Sequence, residues 1–130
     1  MGHIRALKKL KAAMKRMGVS CLVLYGSTAR GENEGAEDVD VDLGVLFKKP
    51  PTPSDEQKIL DVLTELFPED ILDIAVLNHT SPLLNFHIAR DGKALFEDKK
   101  GDFMRFRIKA LRQYWDTGRF RKLRETFALR

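Results

Sequence analysis

Three aspartates, Asp38, Asp40 and Asp42, alternate through the run Asp38-Val39-Asp40-Val41-Asp42-Leu43-Gly44-Val45. In a strand, that period sets the three carboxylates on one face and Val39, Val41, Leu43 and Val45 on the other. Two full charges about 5 Å apart repel by roughly 3 kcal/mol at an effective dielectric near 20. Acids so placed call for water or a cation between them. An isolated DVD would be ordinary solvated decoration of a half-buried strand, but here a second feature stands directly upstream. The apolar run Cys21–Tyr25 ends at Gly26-Ser27, followed by Thr28-Ala29-Arg30-Gly31. A strand that ends in glycine and serine and opens a short helix offers phosphate free backbone amides, a hydroxyl and the positive end of a helix dipole. An anion site and a cation site on adjacent strands describe a pocket for a metal-bound nucleoside triphosphate. A further acid, Asp73, stands within Ile71-Leu72-Asp73-Ile74-Ala75-Val76. Buried without a partner it would be costly, so it has a metal or an arginine beside it, opens on a cleft, or faces water at an edge.

At these residues the chain resembles the minimal nucleotidyltransferases (MNT domains) of the DNA polymerase beta superfamily, whose pattern is GSxARG, a loop, then SDxDLxV, with a third carboxylate on a later strand. Gly26-Ser27-Thr28-Ala29-Arg30-Gly31 fits the first part and Asp40-Val41-Asp42-Leu43-Gly44-Val45 the second. Val39 stands where the family has serine, and the loop is longer than usual. Enforcing the usual loop length would make Asp38 and Asp40 the pair and lose the downstream Leu-x-Val match. The preferred register is therefore Asp40 and Asp42, with Asp38 as the alternative.

What the resemblance implies is an α+β nucleotidyltransferase fold, a small mixed sheet of three to four strands flanked by helices, with a helical C-terminal tail. It implies an enzyme: a nucleotidyltransferase that moves a nucleoside monophosphate, AMP from ATP, to a hydroxyl. Asp40, Asp42 and Asp73 would be the catalytic and metal-binding acids, holding one or two Mg2+ ions. Gly26, Ser27 and Arg30 would bind the nucleotide's phosphates, although Arg30 fits a structural salt bridge equally well. Stand-alone domains of this kind resemble antitoxins that silence a HEPN toxin by adenylylating a tyrosine, so the implied partner is a HEPN-type protein. The rival from another class is a non-catalytic module that neutralises its partner by contact. A nucleic-acid binder is a third reading, marked by steep salt dependence, and is disfavoured.

These residues need elements to position them. Ile4, Leu7, Leu10, Met14 and Met17 predict an opening helix stopped at Gly18, followed by a strand over 19–25. A helical turn near Thr28–Arg30 and a second strand over 38–47 come next. Lys48-Lys49-Pro50-Pro51-Thr52-Pro53 forms a stiff connector, and Ser54, with Gln57 three residues on, is the expected cap of a helix with Ile59, Leu60, Val62, Leu63, Leu66 and Phe67 on its apolar face. Pro68 ends it, and the strand carrying Asp73 runs over 71–77. Ser81-Pro82 caps a helix packing through Leu83, Leu84, Phe86 and Ile88 and stopping at Asp91-Gly92, before a short strand over 93–96. The tail predicts one amphipathic helix from Asp102 to Trp115, a break at Asp116-Thr117-Gly118, and a second helical stretch.

Composition bounds the rest. The 130 residues, 43% hydrophobic and 32% charged, suit a single globular domain, here a nucleotidyltransferase domain over 1–100 and a basic extension over 101–130 packed on that domain or on a partner. Of the net +4, the tail carries the excess: nine Lys and Arg against three Asp and Glu over 101–130. A solvated helix face explains such a stripe as well as an acidic partner or phosphate does. An amphipathic tail would favour a protein partner or a homo-oligomer. No run is long enough to span a bilayer, and no secretory signal is expected, which points to the cytoplasm. The lone Cys21 is expected to be a packing residue, and His3, His79 and His87 lack zinc-ligand spacing.

Overall fold

A computed structural model of the chain describes residues 2–26, 40–68 and 70–128. Within them lie four helices and four strands in the order α1 (Gly2–Arg16), β1 (Val19–Tyr25), β2 (Asp40–Phe47), α2 (Pro53–Leu66), β3 (Ile71–Val76), α3 (Pro82–Asp91), β4 (Lys93–Glu97) and α4 (Asp102–Ala128). The sheet is ordered β3-β2-β1-β4. β1 runs antiparallel to both β2 and β4, while β2 and β3 are parallel because α2 carries the chain back to the starting end of the sheet. This is the mixed α+β sheet that the motifs imply. Ser27, Arg30, Asp38 and the expected helical turn at 28–30 lie outside the described residues.

Strand alternation divides the core in two. Leu22, Leu43 and Val45 point to one face, where Leu10, Ala13 and Met14 of α1 and Ile59 and Leu63 of α2 cover them. Cys21, Val23 and Leu46 point to the other, under Ile88 and Ala89 of α3 and Phe103, Phe106 and Ala110 of α4. The buried Cys21 thiol is pushed up to about 12, by burial first and then by the charges of Asp102 and Glu97. It is a packing residue, not a nucleophile. Asn78 pins the far end of β2: its Oδ1 accepts from Phe47 N at 2.9 Å and its Nδ2 donates to Phe47 O at 3.0 Å. An amide side chain thus continues the parallel ladder after β3 ends, which holds the β2–β3 register that the acids depend on.

Three expectations are corrected. The cap of α2 is Thr52, with Pro53 in the first turn, and not Ser54 with Gln57. Proline has no N–H to lose and a helical φ already, so the connector's last proline starts the helix. Thr52 Oγ1 accepts from Asp55 N at 3.1 Å and Thr52 N donates to Asp55 Oδ2 at 2.9 Å. The bond from Thr52 N first, and then the Thr52 hydroxyl, hold the Asp55 carboxyl below its usual range. Thr52→Ala should lower Tm by about 4 °C in a thermal melt, whereas Ser54→Ala should leave it unchanged.

Leu83 is 55% exposed, and Asn85 takes the buried place beside Ile88 and Ala89. Asn85 tolerates burial because Thr80 supplies its amide with partners, the side chain and the carbonyl. The tail, finally, is one 27-residue helix with no break at Asp116-Thr117-Gly118. Thr117 Oγ1 donates to the Gln113 carbonyl at 2.8 Å, within the helix. One interior glycine costs about 1 kcal/mol, less than a break requires. Among the described residues, no helix is long and apolar enough to cross a membrane. His79 pairs with Glu56 at 2.6 Å, and both it and His87 are exposed.

Candidate active site

Strand register brings the acids together. Tyr25 at the end of β1 lies opposite Asp42 on β2, and Asp42 lies opposite Asp73 on β3. The three side chains form one row across the sheet, on the face shared with Val23, Gly44 and Ala75 one row below. α3 and α4 cover the rows around Cys21, Leu46 and Leu77. The acid row lies near the open end of that face: Asp40 and Asp73 are exposed, and Ile71 is 56% exposed. Asp40, two residues before Asp42, shares its face.

The electrostatics single out Asp42. Its carboxyl is raised from the usual 3.8 by burial, then by the charges of Asp73 and Asp40, and by a hydrogen bond with Asp73. A carboxylate pair in contact across parallel strands shares a proton or takes a cation. Tyr25 reports the same field: burial first, then Asp42 and Asp73, push its phenol up to about 12. Sequence reasoning passed over Tyr25. Its signal was the alternation Cys21, Val23, Tyr25, which continues the acid face onto β1.

Gly26 is fixed here by geometry. Its φ is +77°, and a Cβ would overlap the Asp42 carboxylate at Oδ2 and lie 3.2 Å from the carboxyl carbon. Glycine therefore lets the turn after β1 press directly on the acid. The glycine bend and the acids stand at the same end of neighbouring strands, as a phosphate site beside a cation site requires. Asp73 owes its position to this row and not to burial, since β3 is an edge strand and its carboxylate is exposed.

A divalent ion suits the donor set, because hard carboxylate oxygens that repel one another are what Mg2+ neutralises. Among the described residues, no group of three or more His, Cys, Asp or Glu side chains is gathered as a metal site. Mg2+ is ordinarily held by one or two carboxylates together with substrate phosphates and water. The Asp42–Asp73 pair, with Asp40 beside it, fits that pattern. The pH dependence of stability checks the repulsion. A folded-state value raised above the unfolded one means that the folded chain binds more protons between the two. Asp42 therefore subtracts stability progressively as pH rises from about 3.8 through its raised value, and the full penalty stands above it. Asp42→Asn should raise Tm at pH 7 by about 4 °C and by less at pH 4. Millimolar Mg2+ should raise the wild-type Tm and narrow that gap; a variant no more stable than wild type at pH 7 would contradict the repulsion.

Comparison with known proteins agrees with the fold and the motifs. The family described as polymerase beta, nucleotidyltransferase matches residues 8–101. A protein adenylyltransferase, MntA, of Aphanizomenon flos-aquae is 34% identical over 106 residues, 69% of this chain and 65% of that protein. The match thus spans just under two-thirds of that relative's length. A crystal structure of a toxin–antitoxin with AMP-PNP superposes with a TM-score of 0.73 at 18% identity, covering 95% of this chain and 98% of that one. A complex of tri-AMPylated Shewanella oneidensis HEPN toxin with MNT antitoxin gives a TM-score of 0.69 at 17% identity, with both chains covered in full. At such identities the two structures bear on the fold alone. The family match covers the helix before the sheet from residue 8 onward, the glycine bend, both acid strands and the last strand, and the chain belongs to the polymerase beta nucleotidyltransferase family.

Proposed function

We propose that the chain is a Mg2+-dependent nucleotidyltransferase that moves AMP from ATP to a tyrosine hydroxyl of a HEPN-type toxin, and so acts as its antitoxin in the cytoplasm. The observation that carries this reading is the row Tyr25–Asp42–Asp73 with Gly26 pressed against Asp42. The adenylyltransferase relative and the AMPylated toxin bound by an MNT antitoxin support an adenylyl group as what is moved and a HEPN-type protein as what receives it.

Asp42 and Asp73, with Asp40, would hold the nucleotide's cation. When bound, Mg2+ neutralises the charge that builds on the phosphates. Gly26 and Ser27 would bind the β- and γ-phosphates, and Arg30 would support the same phosphates. The acceptor oxygen bonds to the α-phosphorus, the bond from that phosphorus to the bridging oxygen breaks, and pyrophosphate leaves. Asp73, exposed at the edge, takes the acceptor's proton. Asp40 and Asp42 are the metal pair in this register; Asp38 would replace Asp42 in the alternative.

Label transfer tests the proposal. Incubated with a lysate of its own host, the wild-type chain should transfer radiolabel from α-labelled but not γ-labelled ATP to one protein. That protein should prove to be HEPN-type, with AMP on a tyrosine. Transfer from the γ position, or a HEPN-type partner neutralised without label, would overturn it.

A further inference from the structure

On α4, Met104, Ile108, Leu111 and Trp115 are 50%, 45%, 41% and 69% exposed. The helix needs none of them for its own packing, which uses Phe103, Phe106 and Ala110, the Tyr114 ring stacked 4.0 Å from Phe86, and Arg107 Nε donating to Ala89 O at 2.7 Å. Their spacing of four, three and four residues is that of a two-stranded coiled-coil seam. At 1.5 Å per residue the seam runs roughly 17 Å along the helix. The helix then continues to Ala128, with Asp116, Thr117, Lys122 and Thr126 exposed along it.

Charge chooses the occupant. With Met104 and Leu111 at d positions and Ile108 and Trp115 at a positions, the flanking e and g positions are Arg105, Arg107, Arg112 and Tyr114. Every charged flank is arginine. A second copy of this chain would set arginine against arginine in either orientation, because e meets g in a parallel pair and e meets e in an antiparallel one. Arg107 is held against the domain by Ala89 O and the Phe103 ring, so the open flank is the exposed e-side pair Arg105, which also holds Asp102, and Arg112. A helix with apolar residues at the same spacing and Asp or Glu at its flanks meets that pair with opposite charge. Trp115, the most exposed of the four, is the residue type that anchors interfaces most often.

We infer that the Met104–Ile108–Leu111–Trp115 seam of α4 is a docking site for an acid-flanked amphipathic helix of a partner protein. The inference deepens the proposed function by giving the protein acceptor a face to hold, and rests on that reading only for which protein it is.

The test uses the full chain and a defined probe, a fluorescein-labelled four-heptad peptide with leucine at a and d and glutamate at e and g. Wild type should bind it, with affinity falling as salt rises, and should ignore the same peptide with lysine at e and g. Leu111→Gln with Trp115→Gln should weaken binding at least tenfold, and Arg112→Glu several-fold. These positions are exposed, so the thermal melt should not change. Light scattering should find wild type monomeric. Equal binding of both peptides, no effect of the glutamine pair, or a dimer that the glutamine pair dissolves would overturn the inference. If wild type labels no host protein while the peptide results hold, the transfer reading falls and the docking surface stands. If label transfer persists undiminished in the glutamine pair, the seam is not where the acceptor docks.

Discussion

Asp42→Ala is expected to lower the rate of nucleotidyl transfer at least about 10³-fold with the fold retained. The cation that Asp42 would hold neutralises charge on the reacting phosphates, an effect worth several kcal/mol in the transition state, and each 1.36 kcal/mol is tenfold in rate. Asp42 is the middle of the row, between Tyr25 and Asp73, and the residue whose carboxyl burial and like charge disturb most clearly. Asp73→Ala should cost less, because its exposed carboxylate is the easier to replace with water. Steady-state label incorporation at saturating ATP reads both. The same variant separates the enzyme from its rival: if the chain neutralises its partner by contact alone, Asp42→Ala protects cells as well as wild type does.

Gly26→Ala should reduce transfer about 100-fold and also lower the thermal midpoint. Alanine in the left-handed region costs roughly 1–2 kcal/mol. The larger effect comes from the new Cβ, which would overlap the Asp42 carboxylate and force it or the turn to move. A displacement of about 1 Å at a reacting site can cost 10²-fold in rate. The two substitutions should not add: in an Asp42→Ala background the carboxylate is gone, so Gly26→Ala should destabilise less than it does in wild type. Additive losses in the melt would mean that the bend and the acid do not touch.

The family and the mixed sheet were legible because their signals are local. Alternating acids fix a strand face, a Gly-Ser turn fixes a strand end, and one-faced apolar runs fix helices; β1, β3, α3 and β4 all lie within a residue or so of the expected bounds. The contacts across strands were not legible. Nothing in the order of residues states that Tyr25, Asp42 and Asp73 share a row, since that depends on the β1–β2 and β2–β3 registers and on Asn78 holding Phe47. The cap of α2 was misassigned because Thr52 and Ser54 both precede an acid or amide three residues on, and only the helical tolerance of Pro53 decides between them. The continuity of α4 was missed for a different reason. Asp-Thr-Gly reads as a turn, but the Thr117 hydroxyl bonds back to Gln113 and leaves the helix intact.

Diffraction from a crystal grown with AMP-PNP and Mn2+, recorded at the manganese edge, tests the acid row most directly. An anomalous peak within about 2.2 Å of oxygens of both Asp42 and a nucleotide phosphate is the predicted result. Manganese bound away from Asp42, or nucleotide bound away from Gly26 with no metal at the acids, would contradict it.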